Sequence, residues 1–472
     1  MSPSDSQHAA VAALIDVPPV ADELGRRFAE GGHQLHLVGG PVRDALLRRG
    51  ASDDLDFTTD ARPERVLELV EGWAEATWTT GIAYGTVGLT RRGLRLEITT
   101  YRADRYDRVS RNPLVEYGES LEADLLRRDF TVNAMALSVP DHVFADPYGG
   151  LRDLHAKRLR TPATPEESFA DDPLRMLRAC RFVSQLELVP DPGVVEAMTA
   201  MAGQIERITA ERVQVELSKL LLGAHPRLGL ELLVGTGLAD RVLPEVSALR
   251  MEIDEHHQHK DVYAHSLTVL EQAIALEDEP DLTLRMAALL HDIGKPATRR
   301  KEPDGRVSFH HHEVVGGKLT RKRLRALMYP KDFIDDVCHL VYLHLRFHGY
   351  GRGEWTDSAV RRYVTDAGPL LDRLHKLVRS DCTTRNRRRA LALSQAYDAL
   401  EDRIAELRGQ EELDRIRPDL DGNEIMELLG IPPGPLVGRA YQHLLALRME
   451  RGPLPHDEAV AELRTWAKEH GL

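Results

Sequence analysis

The chain reads as an α+β protein, a small α/β head followed by a long all-helical neck, body and tail. Three observations predict this. Extended runs with alternating or continuous apolar residues occur only early, at Gln34–Val38, Leu55–Thr58, Thr86–Thr90, Leu94–Tyr101 and Ala134–Val139. After Gly149-Gly150 that signal almost vanishes. The remainder of the chain is a succession of amphipathic helical patterns, such as Asp172–Gln185, Ala210–Leu222, Leu282–Leu290 and Lys331–Leu345. With 472 residues and no fixed-period repeat, the length suits several domains in series.

Composition excludes several classes. No run of 18 apolar residues is present, so no membrane-spanning helix is expected. The start, Met1-Ser2-Pro3-Ser4-Asp5, lacks the basic-then-apolar pattern of a signal peptide, and residues 1–19 read as a flexible leader ending in Pro18-Pro19. Cys180, Cys338 and Cys382 are too scattered for a disulfide framework or a zinc ribbon, and a cytoplasmic location is expected. A net charge of −13 argues against indiscriminate nucleic-acid binding, and DNA is not an expected partner. Aromatic residues are 5% of the chain, too few for a base-stacking surface.

The first predicted strand, Gln34–Val38, runs into Gly39-Gly40-Pro41-Val42-Arg43-Asp44. The glycines let backbone approach a ligand closely, and proline suits the first turn of the next helix. Such a helix start offers free N–H groups to phosphate. Asp54 and Asp56 come next, two apart in an extended run, so both carboxylates share a face. That spacing suits divalent metal held against phosphate oxygens, the requirement of in-line nucleotidyl transfer. In the strand Leu94–Tyr101, Glu97 lies opposite Leu94, Leu96 and Ile98; it reads either as a third carboxylate beside the pair or as an exposed strand residue. Residues 102–121 are polar and aperiodic, a loop long enough to be either functional or plain surface.

Asp124 to Ala134 then reads Asp-Leu-Leu-Arg-Arg-Asp-Phe-Thr-Val-Asn-Ala. Further on, steps of three place Asp172, Arg175 and Arg178 along one flank of a predicted helix. Asp172 can accept from a base amino group and Arg175 can donate through its planar fork. Alone, the same three residues would read as a surface salt-bridge ladder.

Taken in order, the Gly-Gly turn, the Asp-x-Asp pair, Arg-Arg-Asp-Phe-Thr-x-Asn and Arg-x-x-Arg resemble the bacterial class II CCA-adding tRNA nucleotidyltransferases, in the branch that carries an HD domain. The resemblance implies a polymerase-β-like nucleotidyltransferase head. It implies nucleotide-phosphate binding at Gly39, Gly40 and Arg43, and catalytic Mg²⁺ at Asp54 and Asp56. Arg128, Asp129 and Asn133 would surround ribose and triphosphate. Asp172 and Arg175 would act as a protein template for CTP or ATP, with Arg178 and Arg181 assisting. The family template usually opens Glu-Asp, whereas this chain has Asp171-Asp172. The loop between Arg102 and Leu121 has full length, which in the family goes with complete CCA addition.

Downstream, His265, the adjacent His291-Asp292 and Asp381 provide imidazoles and carboxylates suited to a divalent metal of unspecified identity. Their order resembles the HD phosphohydrolases and implies a phosphatase or cyclic phosphodiesterase activity for repairing tRNA ends; an HD fold without turnover is the other reading. His312 and His344 are weaker candidates for a second ion or for substrate phosphate, while His256, His257 and His259 match no position. The expected domains are a leader at 1–19, the head at 20–150, a neck and RNA-binding body at 151–255, the HD domain at 256–382 and a helical tail at 383–472. Candidate tRNA contacts are Arg321, Lys322, Arg323, Arg385, Arg387 and Arg388, although any one such cluster also reads as solvated surface. The competing functions are a poly(A) polymerase, an HD phosphohydrolase with a non-catalytic RNA-binding head, and a non-catalytic tRNA-binding module. The mixed charge of 411–472 and the Gly-Gly-Pro-Val-Arg-Asp turn favour CCA addition over poly(A) synthesis.

Overall fold

The computed structural model describes residues 3–50, 53–102, 118, 120–250, 262–305, 307–347, 356–383, 386–410 and 416–472. It divides into two compact units, Met1–Val242 and Leu243–Leu472. The division falls inside the segment expected to form one neck and body over 151–255.

The first unit is built on a seven-stranded sheet: β1 (Leu35–Val38), β2 (Asp54–Thr59), β3 (Ala76–Trp78), β4 (Thr86–Arg91), β5 (Leu94–Thr100), β6 (Ala136–Ser138) and β7 (Phe144–Ala145). Their spatial order is β3-β4-β5-β2-β1-β6-β7. Only β2 and β5 pair in parallel, with Asp54 opposite Arg95 and Asp56 opposite Glu97; the other neighbours are antiparallel. β1 is buried along its whole length, as a central strand requires, and its one polar side chain, His36, meets Tyr101 OH at 3.0 Å. In β5, Leu96 and Ile98 are buried while Arg95 and Glu97 are exposed, as period-two alternation demands.

Within the segment expected to be a flexible leader, residues 3–12 form a helix. Val11, Ala12 and the following Ile15 are buried, and the His8 ring meets Phe144 of β7 edge-on at 5.7 Å. With few apolar residues before Val11, the segment carries no periodic signal that announces this packing.

Beyond residue 150, strand content falls to two-residue ladders, Arg158–Leu159 with Val189–Pro190 and Arg300–Lys301 with Val307–Ser308. The helix Leu174–Leu186 packs on Ala210–Leu221 and on Pro226–Gly235 in the first unit. In the second unit, Val262–Ile274, Leu282–Leu290, His312–Ala326, Lys331–Leu343 and Leu371–Ser380 pack around a cluster of histidines and aspartates. A separate apolar cluster, including Ile425, Leu444, Leu463 and Trp466, holds the last three helices, Gly422–Leu429, Pro435–Arg451 and His456–Glu469. Among the described residues, no helix is long and apolar enough to cross a membrane.

Candidate active site and metal centre

At the end of β1, Gly39 adopts φ +73° and ψ −130°, a conformation that only glycine tolerates without a cost of about 1–3 kcal/mol. The helix Gly40–Leu46 starts immediately, with proline in its first turn. The turn forms one wall of a cleft of about 800 Å³, which Asp56, Arg128, Asp129, Asn133, Arg178 and Arg181 also line. Stretches far apart in sequence thus meet at the mouth of one sheet.

A charge network fixes these groups. Arg43 is bidentate to Asp44 at 2.9 and 2.8 Å, and its third nitrogen donates to Asn133 Oδ1 at 2.6 Å. Asn133 in turn donates to Asp129 Oδ1 at 3.0 Å, while Arg178 holds Asp129 Oδ2 at 2.8 and 2.6 Å. Burial would raise the Asp129 carboxyl, but the Arg178 charge and the Asn133 hydrogen bond outweigh it and hold it well below the usual carboxylate range. Glu216, from the helix Ala210–Leu221, accepts from Arg181 at 3.0 Å and lies 3.7 Å from Arg178. Sequence reasoning gives no role to Asp44, or to Asp124, which accepts from Arg128 at 3.4 Å, and does not find Glu216; Asp44 and Asp124 stand inside recognisable motifs, but nothing local marks Glu216.

Asp129→Asn should therefore leave Arg178 short of its counter-charge. Because Arg178 is partly exposed, a loss on the order of 2 kcal/mol is expected, with a raised KM for nucleotide. Thermal unfolding and steady-state kinetics on the one variant would read both.

Asp54, Asp56 and Glu97 share the polar face of β2 and β5, so Glu97 is both exposed and a third carboxylate of the group. Asp54 also lies 3.8 Å from Arg95. Lost hydration around Asp56, with repulsion from Glu97 and Asp54, raises its carboxyl above the ordinary value, against the pull of Arg128. A divalent cation would relieve that repulsion, and hard carboxylate oxygens are the donors Mg²⁺ takes. Buried Arg128 Nε and Arg181 Nε have no protein partner, so donors remain for an anionic ligand.

An adjoining pocket of about 320 Å³ contains Asp172, Arg175, Arg178 and Arg212, and shares Arg128 and Asp129 with the cleft. Asp172 is not on the helix, as the three-residue steps suggest. It precedes Pro173, which pushes it into extended conformation (φ −141°), and the helix begins at Leu174. Its Oδ1 accepts from Leu174 N at 3.1 Å and its Oδ2 from Arg212 at 2.8 Å. Arg175 donates to Ser168 Oγ at 2.9 Å and to the Arg127 carbonyl. The expected base-reading pair is brought into one pocket, each member engaged by protein.

The second unit holds a metal-type cluster. His265, His291 and Asp381 form one three-residue group; Asp292, His312 and His344 form another, and within each the ligand atoms lie within 4.8 Å of one another. Asp292 joins the two groups, with Oδ2 at 3.2 Å from His291 Nε2 and Oδ1 at 3.3 Å from His312 Nε2. The Nδ1 atoms of His291, His312 and His344 meet the carbonyls of Ala288, Phe309 and Val341 at 2.8, 2.8 and 2.6 Å. His265 Nδ1 meets Thr383 Oγ1 at 3.0 Å. A carbonyl at Nδ1 of His291, His312 and His344 accepts its proton and leaves Nε2 as the nitrogen facing the centre, available to an ion once deprotonated. His312 and His344, the weaker candidates from sequence, are as fully part of the cluster as the rest.

Gly294 makes this approach possible, because a Cβ there would come within 2.1 Å of the His312 carbonyl. Burial pulls His291 down, but neighbouring Asp292 outweighs it and holds the imidazole at about 8. Burial and the His291 charge push His344 down to about 3. Lys295 donates to Asp292 Oδ2 at 2.6 Å.

Of the candidate RNA contacts, Arg321 pairs with Asp335, and Arg323 pairs with Glu245 at 2.8 Å, leaving Lys322 exposed between them. Arg387 and Arg388 are exposed. Arg385, the three histidines at 256, 257 and 259, and most of the 102–121 loop lie outside the described residues.

Family models match the chain in three places: a poly A polymerase head domain over residues 35–160, a probable RNA- and SrmB-binding site of polymerase A over 188–249, and an HD domain over 262–383. The A-adding tRNA nucleotidyltransferase of Deinococcus radiodurans is 34% identical over 92% of this chain and 95% of its own length. The CC-adding tRNA nucleotidyltransferase of Thermus thermophilus is 33% identical over 91% and 93%. The CCA-adding enzyme of Anoxybacillus flavithermus is 31% identical over 73% and 74%. Among solved structures, the Bacillus stearothermophilus CCA-adding enzyme in complex with CTP is 26% identical, with a TM-score of 0.68 over 97% of this chain and 100% of that one.

Proposed function

The chain belongs to the tRNA nucleotidyltransferase family, in the form with a poly(A)-polymerase-type head and an HD domain, and from that premise we propose that it builds the CCA 3′ terminus of tRNA from CTP and ATP without a nucleic-acid template. The observation that carries this is the convergence of the Gly39 turn, Asp56 from the carboxylate face of β2 and β5, and the Arg128–Asp129–Arg178 network on a cleft that shares residues with the Asp172–Arg175 pocket.

Each role rests on position. Gly39 and Gly40 open the backbone to the triphosphate, and Arg128 and Arg181 hold buried donors toward it. Asp172 accepts the exocyclic amino group that cytosine and adenine share, after giving up Arg212, and Arg175 donates to the base edge. The tRNA 3′-hydroxyl attacks the α-phosphorus in line and pyrophosphate leaves. Asp54 and Asp56 would hold Mg²⁺, which supplies charge neutralisation and acidifies the attacking hydroxyl when bound. The remaining barrier falls mainly through positioning by fixed charges.

The test is incorporation into tRNAs ending before CCA, after C and after CC, with CTP and ATP offered separately and together. Two C and one A, then arrest, is the expected result. A narrower reading, one nucleotide type only, has specific support: the A-adding and CC-adding relatives match over nearly their full lengths. Addition of A alone to the CC-ended tRNA, or of CC alone, would establish it. Runs of A on any RNA would move the chain to poly(A) synthesis.

For the second unit we propose a phosphohydrolase centre for a phosphate ester at an RNA end, able to hold two divalent ions. Asp292, reaching both ligand groups, supports this. When bound, such ions supply Lewis acidity and an activated water. The imidazoles orient them through fixed Nδ1 partners, and Lys295 balances the Asp292 charge.

A further inference from the structure

The chain has two candidate basic clusters, and their arginines differ in kind. Arg321 and Arg323 are neutralised by Asp335 and Glu245. Arg387, Arg388 and Arg389 are all exposed and, among the described residues, make no ion pair and no side-chain hydrogen bond. They occupy the first turn of the helix Arg387–Gln410, the positive end of its dipole, where cations are disfavoured. Asn386 Oδ1 already accepts from the N–H groups of Arg388 and Arg389, so the helix end itself is satisfied and the surplus charge is in the guanidinium groups. Three unpaired positive charges placed against the dipole, on a chain of net charge −13, call for an external polyanion.

The placement says which site such an anion would reach. The helix Arg387–Gln410 runs antiparallel to Leu371–Ser380. His375 meets Glu401 at 3.3 Å, Arg379 meets Asp398 at 2.7 Å, and Tyr397 OH donates to the Val378 carbonyl at 3.0 Å. Asp381, a ligand of the cluster, comes three residues after Val378, and Thr383 holds His265. Going the other way, Arg387 to Arg389 precede Tyr397 by eight to ten residues, which at the helical rise is roughly 12–15 Å. The helix therefore carries its arginines past the Asp381 end of the pair. Over that overhang only Tyr397, at its base, is buried, and Leu391 is 61% exposed.

We propose that Arg387, Arg388 and Arg389 form a backbone-binding arm that delivers an RNA strand to the HD centre. That centre would then act on an ester at the end of a polynucleotide in preference to the same ester on a free nucleotide. The preference rests on the proposed hydrolase activity; the delivery of RNA to the cluster does not. Single-stranded RNA gains from each neutralised phosphate a salt-dependent share of its affinity, so three arginines correspond to a change of about two in the slope of log K against log salt.

The experiment uses the full chain and its triple variant R387E/R388E/R389E, with Mn²⁺. The substrates are an RNA ending in a 2′,3′-cyclic phosphate and free 2′,3′-cyclic AMP. The ratio of kcat/KM for RNA to that for the mononucleotide should fall at least tenfold, mainly through KM, and the salt dependence of RNA binding should flatten by about two. An unchanged ratio, or equal losses on both substrates, would overturn the proposal. If wild-type protein hydrolyses neither ester, the hydrolase reading fails and delivery is tested separately. Fe²⁺-loaded protein with ascorbate and peroxide then cuts end-labelled RNA wherever it passes the cluster. Cuts confined to the 3′ end and lost in the triple variant support the arm; dispersed cuts, or cuts unchanged in the variant, reject it. Binding of an acidic protein with no effect on RNA would assign the arm to a different partner and likewise reject it.

Discussion

Asp56→Ala should reduce nucleotide incorporation by at least about a thousandfold while leaving tRNA affinity within about twofold. Asp56 sits beside Asp54 on β2 and opposite Glu97 on β5, at the mouth of the cleft that Gly39 opens. Removing it deletes the carboxylate that stands between Asp54 and Glu97 on that face and lines the cleft. Losing one such group from a two-metal transfer site removes several kcal/mol of transition-state stabilisation, and each 1.4 kcal/mol is about tenfold in rate. Asp54→Ala should be nearly as severe. Glu97→Ala should be milder, since Glu97 is exposed and the primary pair remains. Single-turnover incorporation of labelled CTP separates these outcomes. Full activity in Asp56→Ala would remove the carboxylate face from the mechanism.

Asp292→Asn should abolish hydrolysis at the second site and reduce bound metal from about two ions per chain to less than one, because one carboxylate reaches both ligand groups. His312→Ala should be different in kind, emptying one group and sparing the other, with about one ion retained. Metal counting after equilibration with Mn²⁺ distinguishes the two. Nucleotide incorporation should be unchanged in both variants, since the head belongs to the other compact unit. Equal metal content in wild type and Asp292→Asn would refute the shared-ligand arrangement.

Much of the head is legible in the sequence because its information is local. The glycine turn, the Asp-x-Asp alternation and the polar face of β5 each arise from neighbours one to four residues apart. The features that sequence does not display depend on distant partners. Glu216 acquires its role from Arg178 and Arg181, and Arg212 reaches back 40 residues to Asp172. Asp172 itself reads as helical from spacing, though Pro173 at the next position gives local notice that it is extended. β3 and β7, at three and two residues, are too short to show a period. Basic clusters mislead for the same reason: Arg321 and Arg387 look alike in sequence, and only tertiary ion pairing separates them. Histidine spacing marks the second centre, but its completeness rests on backbone carbonyls that no sequence pattern displays.

Those same carbonyl anchors bear on which element would occupy the centre in a living cell. Imidazoles already fixed in orientation, together with carboxylates, make a cage whose shape does not wait for its ion. Chelation should strip it without unfolding the chain, and reloading should be quick and reversible. A cage of nitrogen and oxygen donors ranks the first-row divalent ions by the Irving–Williams order and does little to distinguish manganese from iron or cobalt by geometry alone. Its occupant would then follow whichever ion the surrounding medium supplies.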